Sequence, residues 1–221
     1  MAEVWQYITT HPEKLAGWTL DHLWLIAVAI VVAVVLGVVL GIYISGRGKQ
    51  QVADSVLYFA EIAMTIPSMA LFGLLMLLLS SMSLKAIGFL PAVIALILYG
   101  QLPILRNTYT AIRGVDPAMI EAGRGMGMSE RQLLLKVKLP LAIPVIIAGL
   151  RNAIVLIIGI AAIAAMIGAG GLGVPIFRGL RNARMDLIII GGVSVSVLAL
   201  LVDGLMGKVE RWVTPRGLKA R

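Results

Sequence analysis

The chain has 221 residues, of which 60% are hydrophobic and 14% charged, with a net charge of +8 and no cysteine. Soluble domains are about 45–50% apolar and about 25% charged, and a chain of this length cannot bury so large a surplus, so a soluble globular fold and a disordered chain are both excluded. The surplus must face lipid, or other helices within lipid, and without cysteine there is no disulfide framework, thiol nucleophile or thiolate metal site.

A membrane-crossing helix needs about 20 mostly apolar residues. Residues 1–21 form a tail that carries Glu3, Glu13, Asp21 and His11, and His22 follows it directly. With only these two histidines, a His-based metal or catalytic site is not expected, although carboxylates could still ligate a hard cation. Residues 22–46 are the first apolar run. This run is too long, and its upstream flank too acidic, for a cleaved signal peptide. Residues 62–84 are the second run, extended backward past Glu61, and 86–105 the third. Residues 139–177 are apolar apart from Arg151, and they end in the glycine cluster 168–173. Residues 187–202 are the fifth, extending past Asp203. The predicted fold is therefore an all-α integral membrane protein with about five transmembrane helices, a single membrane domain over 22–207, and a basic tail over 208–221.

Lysine and arginine accumulate in cytoplasmic segments. With the N-terminus outside and the C-terminus cytoplasmic, thirteen of the nineteen basic residues fall inside, among them Arg47, Lys49, Arg106, Arg113, Arg124, Lys136 and Lys138. Topology thus accounts for the positive charge, and no nucleic acid is required. Arg178, Arg181 and Arg184 are the exception. They would meet an acidic partner surface or cap helices. Trp18, Trp24 and Trp212 fall near span ends, as interfacial aromatics do.

Between the third and fourth runs lies a polar loop, 114–140, with its own helix punctuation. Asp116 before Pro117 reads as N-cap and first helical residue. Gly125 and Gly127 stop that helix. Ser129 with Gln132 is a capping box that starts a second helix, and Pro140 marks its break before the next span. Helix, glycine turn and helix therefore lie at the inner face of the membrane. Such an element is either a connector resting on headgroups or a docking device, and only the second needs a sharp backbone turn at a fixed place.

The spacing Glu121-Ala122-Gly123, three residues, Gly127, nine residues, Val137, one residue, Leu139-Pro140 resembles the cytoplasmic EAA loop of ABC-importer permeases. That pattern is E-A-A, three, G, nine, I, one, L-P, and the chain departs from it at Gly123 and Val137. The segments TIPSMALFGLL (65–75), ALILYGQLPILRNT (95–108), the stretch 121–153 and IGAGGLG (167–173) are similar to permease subunits of osmoprotectant importers. Those carry quaternary ammonium solutes such as glycine betaine, carnitine and choline. The resemblance runs from about residue 20 onward. It implies the type I importer permease fold, a bacterial cytoplasmic membrane location, a second permease copy or sister permease, cytoplasmic ABC ATPase subunits and an extracytoplasmic substrate-binding protein. ATP and magnesium would be bound by the partner ATPase and no cofactor by this chain.

The chain lacks the phosphate loop G-x-x-x-x-G-K-[ST]: Gly48-Lys49 is followed by Gln50, and Gly207-Lys208 by Val209. Energy would then enter through the 116–138 hairpin. The resemblance makes Glu121, Ala122, Gly123, Gly127, Leu139 and Pro140 the ATPase-coupling residues. In that reading Ala122 and Gly123 permit close approach, Glu121 pairs with a basic group on the ATPase or within the loop, and Leu139 and Pro140 redirect the chain into the fourth span.

Glu61, Thr65, Pro67 and Ser68 are the candidate solute path. Pro67 should kink the second span and free a carbonyl that needs a partner. Glu61 is either a cation-attracting group on that path or an interfacial carboxylate paired with Arg47, Lys49 or Arg106. Gly37 and Gly41 form G-x-x-x-G, which permits close helix approach. The glycine cluster 168–173 reads as a break or gate at the far end of the fourth span. The aromatic residues are scattered rather than gathered into a cage, so tight cargo selection is expected in a separate binding protein. Three other readings stay open: an ABC permease for another small solute such as an amino acid, an ion-coupled transporter without ATPase, and a non-transporting membrane assembly subunit.

Overall fold

The computed structural model describes residues 2–214. Arg216, Lys219 and Arg221 of the expected basic tail lie outside the described residues. Ten α-helices follow in order: α1 Ala2–Thr10, α2 Pro12–Ile44, α3 Gln50–Thr65, α4 Ser68–Ser81, α5 Phe89–Arg113, α6 Pro117–Gly125, α7 Glu130–Leu133, α8 Leu139–Ile163, α9 Gly173–Arg181 and α10 Met185–Val213. No strand occurs among the described residues.

Four helical stretches are long and apolar enough to cross a bilayer: Pro12–Ile44, Phe89–Arg113, Glu130–Ile167 and Met185–Val213. The bent pair α3 and α4 would make a fifth. α5 lies at the centre, packed by α2, α3, α4 and α8, while α8 also meets α2 and α10. The core is built from Leu25 and Ala29 of α2, Leu71 and Phe72 of α4, Leu96 and Tyr99 of α5, and Ile157 and Ile158 of α8. Gly37 and Gly41 turn toward α5, where a Cβ would come within 2.6 Å of Ile104 and of Thr108. The G-x-x-x-G pattern therefore serves packing within the chain. Val31, Val35 and Val39 of α2, and Val193, Val197, Leu200 and Leu201 of α10, stay exposed. These are the surplus side chains that a soluble fold could not hide.

Three expectations change. The second span is not a kinked helix: α3 and α4 meet at 103°. Proline removes only one helical hydrogen bond, so tertiary contacts must decide between a kink and a break. Here Ile66 and Pro67 are extended, and the Tyr99 hydroxyl donates to the Ile66 carbonyl. Phe72, only 1% exposed, anchors α4 in the core beyond the turn. Tyr99→Phe is expected to lower stability by about 1 kcal/mol, the usual worth of such a hydrogen bond. The check is the thermal unfolding midpoint in detergent, and an unchanged midpoint would remove the pin from the account.

Pro140 does not end the second hairpin helix, nor does Leu139-Pro140 redirect the chain. The helix runs unbroken from Glu130 to Ile167. It widens over Leu134–Lys138, where the Leu139 amide reaches back to the Leu134 carbonyl. A wider turn relieves the clash between a proline ring and the carbonyl four residues earlier. The N-terminal segment is helical rather than a plain tail. α2 begins at Pro12, and α1 folds so that Tyr7 stacks on His11 at 4.7 Å and faces Trp18 at 6.5 Å.

Candidate functional site

The hairpin α6–α7 stands at one end of the spans, and local chemistry fixes both of its helix starts. Asp116 Oδ1 accepts from the Ala118 amide at 2.8 Å, with Pro117 in the first turn. Ser129 Oγ accepts from the Gln132 amide at 3.3 Å, while Gln132 Oε1 accepts from the Ser129 amide at 2.8 Å. Between them the chain reverses at Gly127, whose φ of +77° lies in the left-handed region. The Met128 amide donates to the Gly123 carbonyl at 3.0 Å and the Gly127 amide to the Arg124 carbonyl at 2.9 Å. This pair of bonds is the Schellman closure that a left-handed residue past a helix end permits.

Gly123 faces inward, contrary to its expected role on an approach surface. A Cβ there would lie 2.5 Å from Leu133 Cδ2, and Leu133 is fully buried. The glycine therefore seats α6 on α7. Glu121 and Ala122 are exposed on the other side, flanked by Met119 and Met126. Leu139 is half-buried and Pro140 exposed, on the long helix below.

A residue that pattern reading missed ties this hairpin to the rest of the chain. The Glu130 carboxylate accepts from Arg124 Nε at 3.2 Å and Nη2 at 3.0 Å, and from Arg47 Nη1 at 3.4 Å. The pair inside the hairpin is thus made by Glu130 rather than Glu121. Partial desolvation pushes the Glu130 carboxyl up, but the Arg124 hydrogen bonds and the charges of Arg124, Arg47 and Lys138 outweigh it and hold the group below the usual carboxylate range. Only the position of Glu130 in the first turn of a helix, where an acid is favoured, could have drawn attention to it.

The second set of candidates surrounds the α3–α4 break. Thr65 donates back to the Ile62 carbonyl at 2.8 Å, Pro67 carries the extended turn, and Ser68 opens α4. Glu61 forms an ion pair with Arg106 of α5. Arg151 of α8 holds Asp203 of α10 at 2.6 Å and Glu210 at 3.3 Å. The three ionisable residues expected within spans are therefore all paired.

At the opposite end of the spans, the helical turn Ala164–Ile167 ends in Gly168, and positive φ recurs at Gly170 and Gly171 before α9. A cleft of about 890 Å³ lies nearby, between α1 and the α9–α10 turn. Arg184 is bound to Asp186 and sits 5.7 Å from the Tyr7 ring, and Arg178 lies 5.8 Å from the Trp18 ring. Two of the three arginines in the outlying cluster are thus engaged within the chain.

A bundle of membrane helices with a capped helical hairpin projecting from one end and a broken span beside its central helix is the build of an importer permease. Residues 33–215 match the family described as the binding-protein-dependent transport system inner membrane component. The chain belongs to that family. It is 43% identical to the osmoprotectant import permease protein OsmW of Salmonella typhimurium, over 96% of this chain and 98% of that one. It is 38% identical to the glycine betaine/carnitine/choline transport system permease protein OpuCB of Bacillus subtilis, over 99% of this chain and 97% of the relative. Among solved structures, an inward-facing MetNI methionine ABC transporter chain superposes with a TM-score of 0.81 at 22% identity, covering 93% of this chain and 99% of that one. The fold is therefore that of the type I ABC importer permeases.

Proposed function

We propose that this chain carries quaternary ammonium osmoprotectants, such as glycine betaine, carnitine or choline, across the bacterial inner membrane as the permease of an ATP-driven importer. The cargo reading is supported by near full-length relatives that bear those solutes in their names. The energy reading is supported by one feature, the exposed outer face of α6 on a rigidly capped hairpin.

The hairpin end is cytoplasmic in this reading, with the N-terminus outside. ATP and magnesium bind to separate ATPase subunits, and this chain hydrolyses nothing itself. Glu121 and Ala122 lie against the ATPase. Gly127 and Gly123 keep the hairpin in one shape so that a push on α6 is not lost in bending. Because α7 continues through the widened turn Leu134–Lys138 into α8, motion of α6 is delivered to a helix that crosses the membrane. Closure of the ATPase pair then biases the inward-open and outward-open states.

The solute passes beside the break at Thr65, Pro67 and Ser68, with the Glu61–Arg106 pair lower on the same wall. A second permease copy or sister chain covers the exposed valine and leucine faces. An extracytoplasmic binding protein delivers cargo at the end that bears the glycine turns.

Uptake of labelled betaine, carnitine and choline, in cells that lack and then regain this chain, tests the cargo. At least one should follow the chain, and an ATPase should co-purify with it. Amino-acid uptake following the chain instead would replace the cargo, and the absence of any ATPase would replace the mechanism.

A further inference from the structure

Three spans end together beneath the hairpin. Arg47 follows the end of α2, Arg113 closes α5, and Lys138 stands at the start of α8. Between these ends and α6 lies a cleft of about 220 Å³ lined by Arg47, Arg113, Arg124 and Lys138, with Ile112 and Ile120 as apolar lining. Glu121 lines it as well, and Glu130 engages Arg47 and Arg124. Four cations therefore meet two carboxylates. Among the described residues, neither Arg113 nor Lys138 makes an ion pair. Arg113 has only a 3.5 Å contact with Gln50 Oε1.

We propose that this cleft binds a phosphate anion, supplied in the membrane by the headgroup of an anionic phospholipid. Guanidinium groups match phosphate oxygens with paired N–H donors, and an ammonium adds a point charge. Span ends mark the headgroup depth of a bilayer, where basic pockets between helices take anionic lipids. The isoleucines give the glycerol and first methylenes an apolar lining. A headgroup seated there touches α6 through Arg124 and α8 through Lys138, and so braces the hairpin against the spans. This site is independent of the cargo, and of the residues placed against the ATPase only Glu121 lines it.

Native mass spectrometry of the full chain in detergent tests it, with phosphatidylglycerol, phosphatidylcholine and inorganic phosphate as probes. Phosphatidylglycerol should bind saturably, and Arg113→Gln with Lys138→Gln should weaken it by about tenfold or more, the worth of losing charge-assisted contacts. Lys138→Arg should keep binding. Lys136→Gln, an exposed neighbour that does not line the cleft, should leave it unchanged and controls for general attraction. Lys138→Gln alone, which breaks no ion pair of the chain, should show a partial loss even if the double variant fails to fold. Displacement of phosphatidylglycerol by inorganic phosphate, lost in the same variants, would support the phosphate site with free phosphate as a second source. Phosphatidylcholine binding equally well, Lys136→Gln costing as much as the double variant, or no loss in either Lys138→Gln variant would overturn the proposal.

Discussion

Gly173→Val is expected to remove the folded protein from the membrane, and even Gly173→Ala should do most of the damage. A Cβ at this position would lie 1.8 Å from the Ala162 carbonyl oxygen and 2.9 Å from the Ala165 Cβ. The first of these is backbone, so no rotamer change can relieve it. α9 would have to lift from the end of α8, and α9 is also packed against α10. Overfilling a packed site costs about 1–3 kcal/mol and occasionally more, and a collision with main chain belongs at or beyond the top of that range. Whole-protein stabilities are only about 5–15 kcal/mol, so trafficking and yield should collapse. Gly17→Ala is the matched control, because nothing lies within 4 Å of the added atom. Size-exclusion profiles of detergent extracts would read both variants. A single sharp peak at the unmodified level for Gly173→Val would mean that the far end of α8 is loosely packed, against the geometry described here.

The hairpin was legible because each of its signals is local: Asp116 two residues from its amide partner, Ser129 and Gln132 three apart, Gly127 at the turn itself. The apolar runs were legible because lipid imposes length and polarity on every span. What could not be read depends on partners distant in sequence. Pro67 looks like a kink until Tyr99, 33 residues beyond Ile66, takes up the Ile66 carbonyl. Gly123 looks like a surface for another protein until Leu133 is found occupying its missing side chain. Pro140 looks like a helix stop because a widened turn has no sequence mark of its own. Glu130 was invisible because its importance rests on Arg47, which lies 83 residues away in the chain. Local rules thus recover elements and caps, and long-range packing decides what each small or charged residue is for.

Gly127→Val is expected to uncouple the permease while leaving its spans folded. Nothing lies within 4 Å of the position a Cβ would take, so there is no clash, and the penalty comes from φ of +77° alone. A left-handed conformation costs an ordinary residue roughly 1–2 kcal/mol, and a branched one tolerates it least. The chain can escape that strain by opening the turn, at the expense of the two hydrogen bonds that close it and of the seat of Gly123 on Leu133. Coupling between sites is itself worth only about 1–3 kcal/mol, so a disordered hairpin removes most of it. Uptake and ATPase co-purification should both fall by about tenfold or more, since about 1.4 kcal/mol is a factor of ten. The thermal midpoint of the isolated permease should scarcely move, because the spans and the core around Phe72 and Leu96 are untouched. Gly127→Asn should restore much of the loss, as asparagine adopts the left-handed region with local hydrogen bonding. The contrast between valine and asparagine separates conformation from the mere presence of a side chain. Equal transport by all three proteins would show that the turn does not carry the push, and the ATPase would then have to act on some other surface.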